Sequence, residues 1–519
     1  MKISLDFKVA IIFFLISFLG TIFQSFYTYD SFHWAISQSS IDLLSGQTPY
    51  KDFFIHYGII HTLINSFGLY VSNNDLLSAM VISSLFFASG NFLIFIISKR
   101  FFNIELSFYI PLILFLLHPF ANHPWPNYQF FFLISCSIFF YFSNTKISLF
   151  LSGLFLSLSS LTFENFIYIS PIILFLYLFL NKHKTEKYNK YLIFGFFIPL
   201  IIFHLYLYAF DLHSYWYKTF NLNSVFLKIY DTSLISLVLN FFYTFFLKGF
   251  YGIFSKSYYF FFLVIFIANS AYVIYIIFKI FKKQKLIINE KYFFIISVLS
   301  ILTLASAFHK LNVFRFSTGP ILGIVVLLYI LERYFNHYKN YIVSFLVLIL
   351  ISSSFVPIKQ DNNKFFPNFG ELKFNVENSE ISYFKSQKWN KDTWNFLINV
   401  NNVTKKIGNN CKNVDHFINY TTDGFIYMIA KKHLKTNQFI YWYDKKNYYD
   451  VINEHYNQNI DELVNESIKK KNSIIFVSGN NINALKVNFD LKNFIIFDLP
   501  YTYQQKRVFI IYPSECHQS

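Results

Sequence analysis

Apolar runs of near-membrane length recur along the first two-thirds of this chain, and they restrict its fold more than any other feature. A helix needs about 20 mostly apolar residues to cross about 30 Å of hydrocarbon. Residues 9–27 form such a run. Others follow at 76–97, 106–117, 130–142, 147–163, 165–180, 191–209, 258–280, 292–308, 319–331 and 341–356. Two further apolar stretches, 59–71 and 233–250, read as helices lying along the membrane surface. Only 14% of the chain is charged, against about 25% in a soluble domain.

Charge sets the orientation. Lys2 and Lys8 precede the first run, and Lys99, Arg100, Lys146, Lys182, Lys282, Lys283, Arg333 and Lys339 fall between later runs on one side of the alternation. Loops rich in Lys and Arg stay in the cytoplasm, which predicts about eleven spans with the N-terminus inside and the C-terminus outside. The net charge of +16 is thereby assigned to topology, and no nucleic-acid partner is expected. The place expected is the cell's inner or plasma membrane, with lipids as neighbours.

After position 358 the composition turns polar, and no apolar run reaches span length. DHFINY, QFIYWY, SIIFVSG, FIIFDL and RVFIIYP read as short buried strands. Helical patterns lie between the earlier ones, so a partly parallel sheet is expected. The chain thus divides into a membrane domain, 1–358, with its first external loop at 28–75, and an external α/β domain, 359–519. Gly479 closes a strand without a glycine-rich phosphate cradle, so no nucleotide site is read there. Of three cysteines, Cys136 lies in an apolar run. Cys411 and Cys516 can pair only if the C-terminal domain lies in an oxidising compartment.

The chemistry concentrates in the first external loop. Residues 29–58 read YDSFHWAISQSSIDLLSGQTPYKDFFIHYG. Asp30 precedes His33 by three positions and Asp52 precedes His56 by four, which places each pair on one face wherever the segment is helical. Phe32 to Leu44 is amphipathic and stops at Gly46, and Pro49 forces a turn. Lys51 stands in that turn. Four other positions carry polar groups at the outer ends of spans: His123 in a proline-stiffened turn, Glu164, and His309 and Arg315 in FHKLNVFRFSTGP. The last two are cations on the side where the charge rule expects few. A carboxylate at membrane depth, such as Glu164, is a candidate by default.

The loop resembles the first external loop of GT-C-fold glycosyltransferases, in the bacterial branch related to protein O-mannosyltransferases and aminoarabinose transferases. Gly46, Pro49, Tyr50, Asp52, Tyr57 and Gly58 carry the motif. The likeness implies a polytopic helical enzyme that moves a sugar from a polyprenyl-phosphate donor to a lipid, glycan or protein acceptor at the outer face. It implies that Asp30 is the catalytic acidic residue and Asp52 the second loop carboxylate. It also implies that a late external loop, here the one with His309 and Arg315, meets the lipid phosphate. His33, Lys51, His56, Tyr57, His123 and Glu164 join these as candidate substrate contacts. Ser31 follows Asp30 where several branches carry a second acid. No metal cofactor is expected, although two carboxylates and nearby histidines are groups able to hold a divalent ion. The competing readings are a lipid-glycan flippase or transporter, which needs mid-span charges and internal repeats, and an O-antigen ligase or polymerase.

Overall fold

The computed structural model describes residues 5–26, 31–53, 55, 57–118, 124–143, 145–180, 188–224, 233–255, 257–308, 313–316, 319–354, 381–384, 386–411, 414–421, 424–434, 438–441, 460–479, 482, 490–499 and 507–517. The helices of the N-terminal part are α1 (Leu5–Ser25), α2 (Ser31–Leu44), α3 (Ile59–Val71), α4 (Leu77–Ser98), α5 (Ile104–Leu117), α6 (Pro126–Tyr141), α7 (Lys146–Thr162), α8 (Ser170–Leu180), α9 (Asn189–Ala209) and α10 (His213–Ser224). They continue as α11 (Leu234–Ser255), α12 (Ser257–Phe281), α13 (Ile288–Thr303), α14 (Ile324–Tyr334) and α15 (Lys339–Ser354). Among the described residues, 5 helices are long and apolar enough to cross a membrane: Leu5–Ser25, Leu77–Ser98, Asn189–Ala209, Tyr258–Phe281 and Ile288–Ala307. The shorter apolar helices include α3, α5, α7, α8 and most of α11 and α15. Leu19, Phe194, Ile202 and Ile274 are exposed on the long helices α1, α9 and α12. An integral membrane protein accounts for both facts, since lipid solvates these side chains.

Buried polar side chains and small residues join the bundle, as expected where lipid removes the hydrophobic drive between helices. Asn91 of α4 donates to Ser17 Oγ of α1 at 2.9 Å and to the Pro111 carbonyl of α5 at 3.2 Å. Gly153 of α7 and Gly195 of α9 face one another's helices. A Cβ on either would stand 2.1 or 2.0 Å from the partner's Leu192 or Phe150 carbonyl oxygen. At one end, Glu290 at the start of α13 binds Lys279 at 2.8 Å and Arg333 at 3.5 Å, and Lys99 binds Asp6 at 3.4 Å. These are groups the charge rule places in the cytoplasm.

The C-terminal part is an α/β sandwich. Its helices are α16 (Lys391–Asn410), α17 (Gly424–His433) and α18 (Ile460–Lys469). Its strands are β1 (His416–Tyr420), β2 (Gln438–Tyr441), β3 (Ser473–Ser478), β4 (Phe494–Asp498) and β5 (Val508–Pro513), in the order β2-β1-β3-β5-β4. β1 runs parallel to β2 and β3, and β5 runs antiparallel to β3 and β4. The five strands fall where the short apolar alternations predict them. Phe417, Ile474, Phe476 and Ile510 face α16 and α17, while Ile418, Ile475, Val477 and Ile511 face Ile468 of α18. Asn390 caps α16 by accepting the Thr393 N–H at 2.8 Å. Cys411, just past α16, is disulfide-bonded to Cys516, just past β5.

This α/β part docks on one end of the bundle. The Lys388 N–H donates to the Phe26 carbonyl at 2.9 Å, just past α1. The Leu76 N–H, at the start of α4, donates to the Tyr383 carbonyl at 3.0 Å. Ser386 hydrogen-bonds Asp75. The docked end is therefore opposite to the Lys99 and Glu290 end.

Candidate functional site

The loop after α2 is built around a strained turn. Gly46 ends α2 at φ +83°, with the Gln47 N–H on the Asp42 carbonyl at 3.2 Å and the Gly46 N–H on the Leu43 carbonyl at 3.0 Å. That is the Schellman arrangement, which suits glycine. Tyr50 holds φ 67° although it is bulky, a conformation that persists only where packing enforces it. Its ring is wholly buried with Ile55, Ile59, Leu161 and Phe203. Asp52 is exposed, and its Oδ2 accepts the Thr48 N–H at 2.7 Å. Lys51 is exposed beside it. In this structure Asp52 closes the turn that seats Tyr50.

The same loop delivers Tyr57 to a cluster drawn from four parts of the chain. The Tyr57 ring stacks on Phe163 at 6.1 Å and meets Trp125 edge-on at 6.3 Å. The Arg315 guanidinium lies 5.8 Å from the centre of the Trp125 ring, a cation–π contact. Burial pushes the Tyr57 phenol up to about 12, while the Arg315 charge pulls it the other way. Tyr57 is therefore a neutral hydroxyl at physiological pH.

Neighbouring elements fix each member. Gly58 lets the loop close: a Cβ there would stand 2.3 Å from the Leu161 carbonyl oxygen at the end of α7. Trp125 is the N-cap residue of α6, followed by Pro126 in the first turn. Arg315 donates through Nη1 to the Ser306 carbonyl at 2.9 Å, on the short 3-10 turn that ends α13. The chain after Arg315 re-enters the bundle through a second 3-10 turn at Pro320–Gly323. That turn is held by Ser300 Oγ on the Pro320 carbonyl at 2.8 Å and Asn269 Nδ2 on the Gly323 carbonyl at 3.0 Å.

Behind the cluster lies a buried polar ring. His61 Nδ1 is 2.9 Å from Gln129 Oε1, Asn65 Nδ2 is 3.1 Å from His61 Nε2, and Gln129 Nε2 donates to Asn65 Oδ1 at 3.5 Å. One assignment satisfies all three: a neutral imidazole with its proton on Nδ1. It ties α3 to α6 beneath Tyr57 and Trp125. Elsewhere on the first loop, Asp42 of α2 bonds Lys431 of α17 and accepts the Tyr427 hydroxyl at 2.7 Å. The Asp42 and Lys431 side chains are only 1% and 8% exposed. Burial raises the Asp42 carboxyl above its ordinary range, outweighing the pull of the Lys431 ammonium. This pair fastens the α/β part to the first loop.

The candidates from sequence divide in three. Tyr57 and Arg315 meet across Trp125. Lys51 and Asp52 lie on the exposed turn. Asp30, His56, His123 and His309 lie outside the described residues, as do the side chains of His33 and Glu164. Trp125, His61, Asn65, Gln129 and Asp42 were missed. The spacing between His61 and Gln129, 68 positions, leaves no local pattern to find. Among the described residues no group of three or more His, Cys, Asp or Glu is placed to hold a metal ion.

No protein-family model matches the chain, and no curated protein does. The solved structures similar to it include two of one protein. One is ArnT from Cupriavidus metallidurans in the apo state, with a TM-score of 0.47 and 10% identity over 99% of each chain. The other is the same protein bound to undecaprenyl phosphate, with a TM-score of 0.44 and 10% identity over 98% of this chain and 97% of that one. With TM-scores below 0.5, neither decides this chain's fold or chemistry.

Proposed function

We propose that this protein is a membrane glycosyltransferase using a polyprenyl-phosphate sugar, with its site between the bundle and the docked α/β domain on the outer face. The observation that carries the reading is the meeting of Tyr57 and Arg315. One comes from the loop whose motif resembles GT-C transferases, the other from a late segment more than 250 positions away. Both stand at the end where the α/β part docks. The disulfide between Cys411 and Cys516 supports an oxidising, extracytoplasmic side for that part.

In this mechanism Asp30 takes the proton of the acceptor hydroxyl as its oxygen attacks the anomeric carbon. The bond from that carbon to the donor phosphate breaks, and the polyprenyl phosphate leaves with the added negative charge. Arg315 receives that charge. Its planar guanidinium suits phosphate and bears desolvation better than an ammonium, and Trp125 and the Ser306 carbonyl hold it in place. Tyr57, kept neutral, is a hydrogen-bond donor to the same oxygens. His309 is assigned to the phosphate together with Arg315, and His33, His56, His123 and Glu164 are kept as candidate substrate contacts. Asp52 and Lys51 form the rim. The acceptor is a lipid, glycan or protein.

Purified protein in detergent, given lipid-linked sugars extracted from membranes, is expected to transfer sugar, and Arg315→Ala is expected to lower kcat at least a hundredfold while eluting as wild type. Full activity in Arg315→Ala would remove the role assigned to it.

A further inference from the structure

A second feature lies in the other half of the bundle. Helices α1, α4, α6 and α7 flank an open cleft of about 530 Å³ lined by Ile11, Phe14, Phe92, Phe132, Phe139 and Phe155 among others. Every lining side chain is apolar except Ser89 and Cys136. The cleft is too apolar for ordered water.

The end of the cleft carries a cation. The Arg100 guanidinium lies 4.9 Å from the centre of the Phe139 ring, itself a cleft wall, and Nη2 reaches Ser143 Oγ at 3.5 Å. Arg100 is exposed. Lys8, one turn before Ile11 on α1, and Lys146 at the start of α7 are exposed at the same end of the bundle. Of the acidic groups there, Asp6 is paired with Lys99 at 3.4 Å, and Glu105 is exposed in the first turn of α5.

We propose that this cleft seats one hydrocarbon chain of an anionic phospholipid, with Arg100 against its phosphate. An apolar slot open to the bilayer takes a flexible hydrocarbon chain. The cation at its mouth selects the headgroup, because a guanidinium pairs with phosphate in a fork while basic residues at this level attract anionic lipid. In the orientation read from the charges, this is the cytoplasmic leaflet. The site lies apart from Tyr57 and Arg315, and the inference stands whatever reaction the protein performs.

Native mass spectrometry of the purified full-length protein tests it, using phosphatidylglycerol and phosphatidylcholine with identical chains. Wild type is expected to retain phosphatidylglycerol at least tenfold better. Arg100→Ala is expected to lose that preference, and Ser89→Phe, which fills the slot, to lose bound lipid of either kind. Thermal unfolding gives a readout in soluble form: phosphatidylglycerol raises the Tm of wild type but not of Arg100→Ala, and inorganic phosphate alone raises neither. Equal retention of the two lipids by wild type overturns the proposal. So does an unchanged preference in Arg100→Ala, or a phosphate effect as large as the lipid's.

Discussion

Replacing Lys431 by Met should destabilise the docking of the α/β part by an amount that depends on pH in a defined way. Asp42 is 1% exposed and has Lys431 as its one cationic partner among the contacts described above. Removing a partner from a buried pair costs about 3–5 kcal/mol. Here the loss has a ceiling, because the stranded carboxyl can take up a proton. With an unfolded-state value of about 3.9 and 1.36 kcal/mol per unit, protonating Asp42 at pH 7 costs at most about 4 kcal/mol. At pH 5.5 the same ceiling falls to about 2 kcal/mol.

The sign follows from proton binding. A carboxyl raised in the folded state holds its proton where the unfolded chain has released it, so its penalty grows as pH rises above the unfolded value and fades as pH falls toward it. Pulse proteolysis in denaturant at pH 5.5 and 7.5 measures the difference between wild type and Lys431→Met. The double variant Asp42→Asn with Lys431→Met, which removes both charges, should return to within about 1 kcal/mol of wild type. A penalty that does not change with pH, or a double variant as unstable as the single one, refutes the assignment.

Three further outcomes follow from the same geometry. Gly58→Ala should lower stability by about 1–3 kcal/mol, read by thermal unfolding, since its Cβ would meet the Leu161 carbonyl. Cys411→Ser should cost about 4–5 kcal/mol in the chain-entropy account, because the bond closes a loop across a separation of 105. In wild type both thiols should resist maleimide until reduced. Tyr57→Phe should weaken transfer without altering its pH profile below pH 10, because the phenol titrates only near about 12; a shifted profile would show that Tyr57 ionises during turnover.

What the sequence disclosed, and what it hid, follows from the range of the interactions. The α3 helix, Ile59–Val71, and the five strands are set by apolar pattern over fewer than fifteen neighbours, so they can be read directly. The stop of α2 is legible because Gly46 and Pro49 act locally. Arg315 stood out because a cation there runs against the charge bias of the other loops. Asp42 did not, since a polar residue on an amphipathic helix looks solvated until Lys431, 389 positions away, is placed over it. Trp125 and Gln129 were likewise indistinguishable from other aromatic and polar residues at the edge of a span. The role of Asp52 shows the opposite risk: beside its motif partners it reads as chemistry, whereas its hydrogen bond to Thr48 gives it a structural task as well.

The most direct test of the glycosyltransferase account is sugar transfer from a polyprenyl-phosphate donor by the purified protein, with Asp30→Asn prepared alongside. The account predicts donor-dependent transfer by wild type and none by Asp30→Asn, with both proteins eluting alike from detergent size exclusion. Wild-type rates in Asp30→Asn would contradict it, as would movement of intact lipid-linked sugar across vesicles without any transfer.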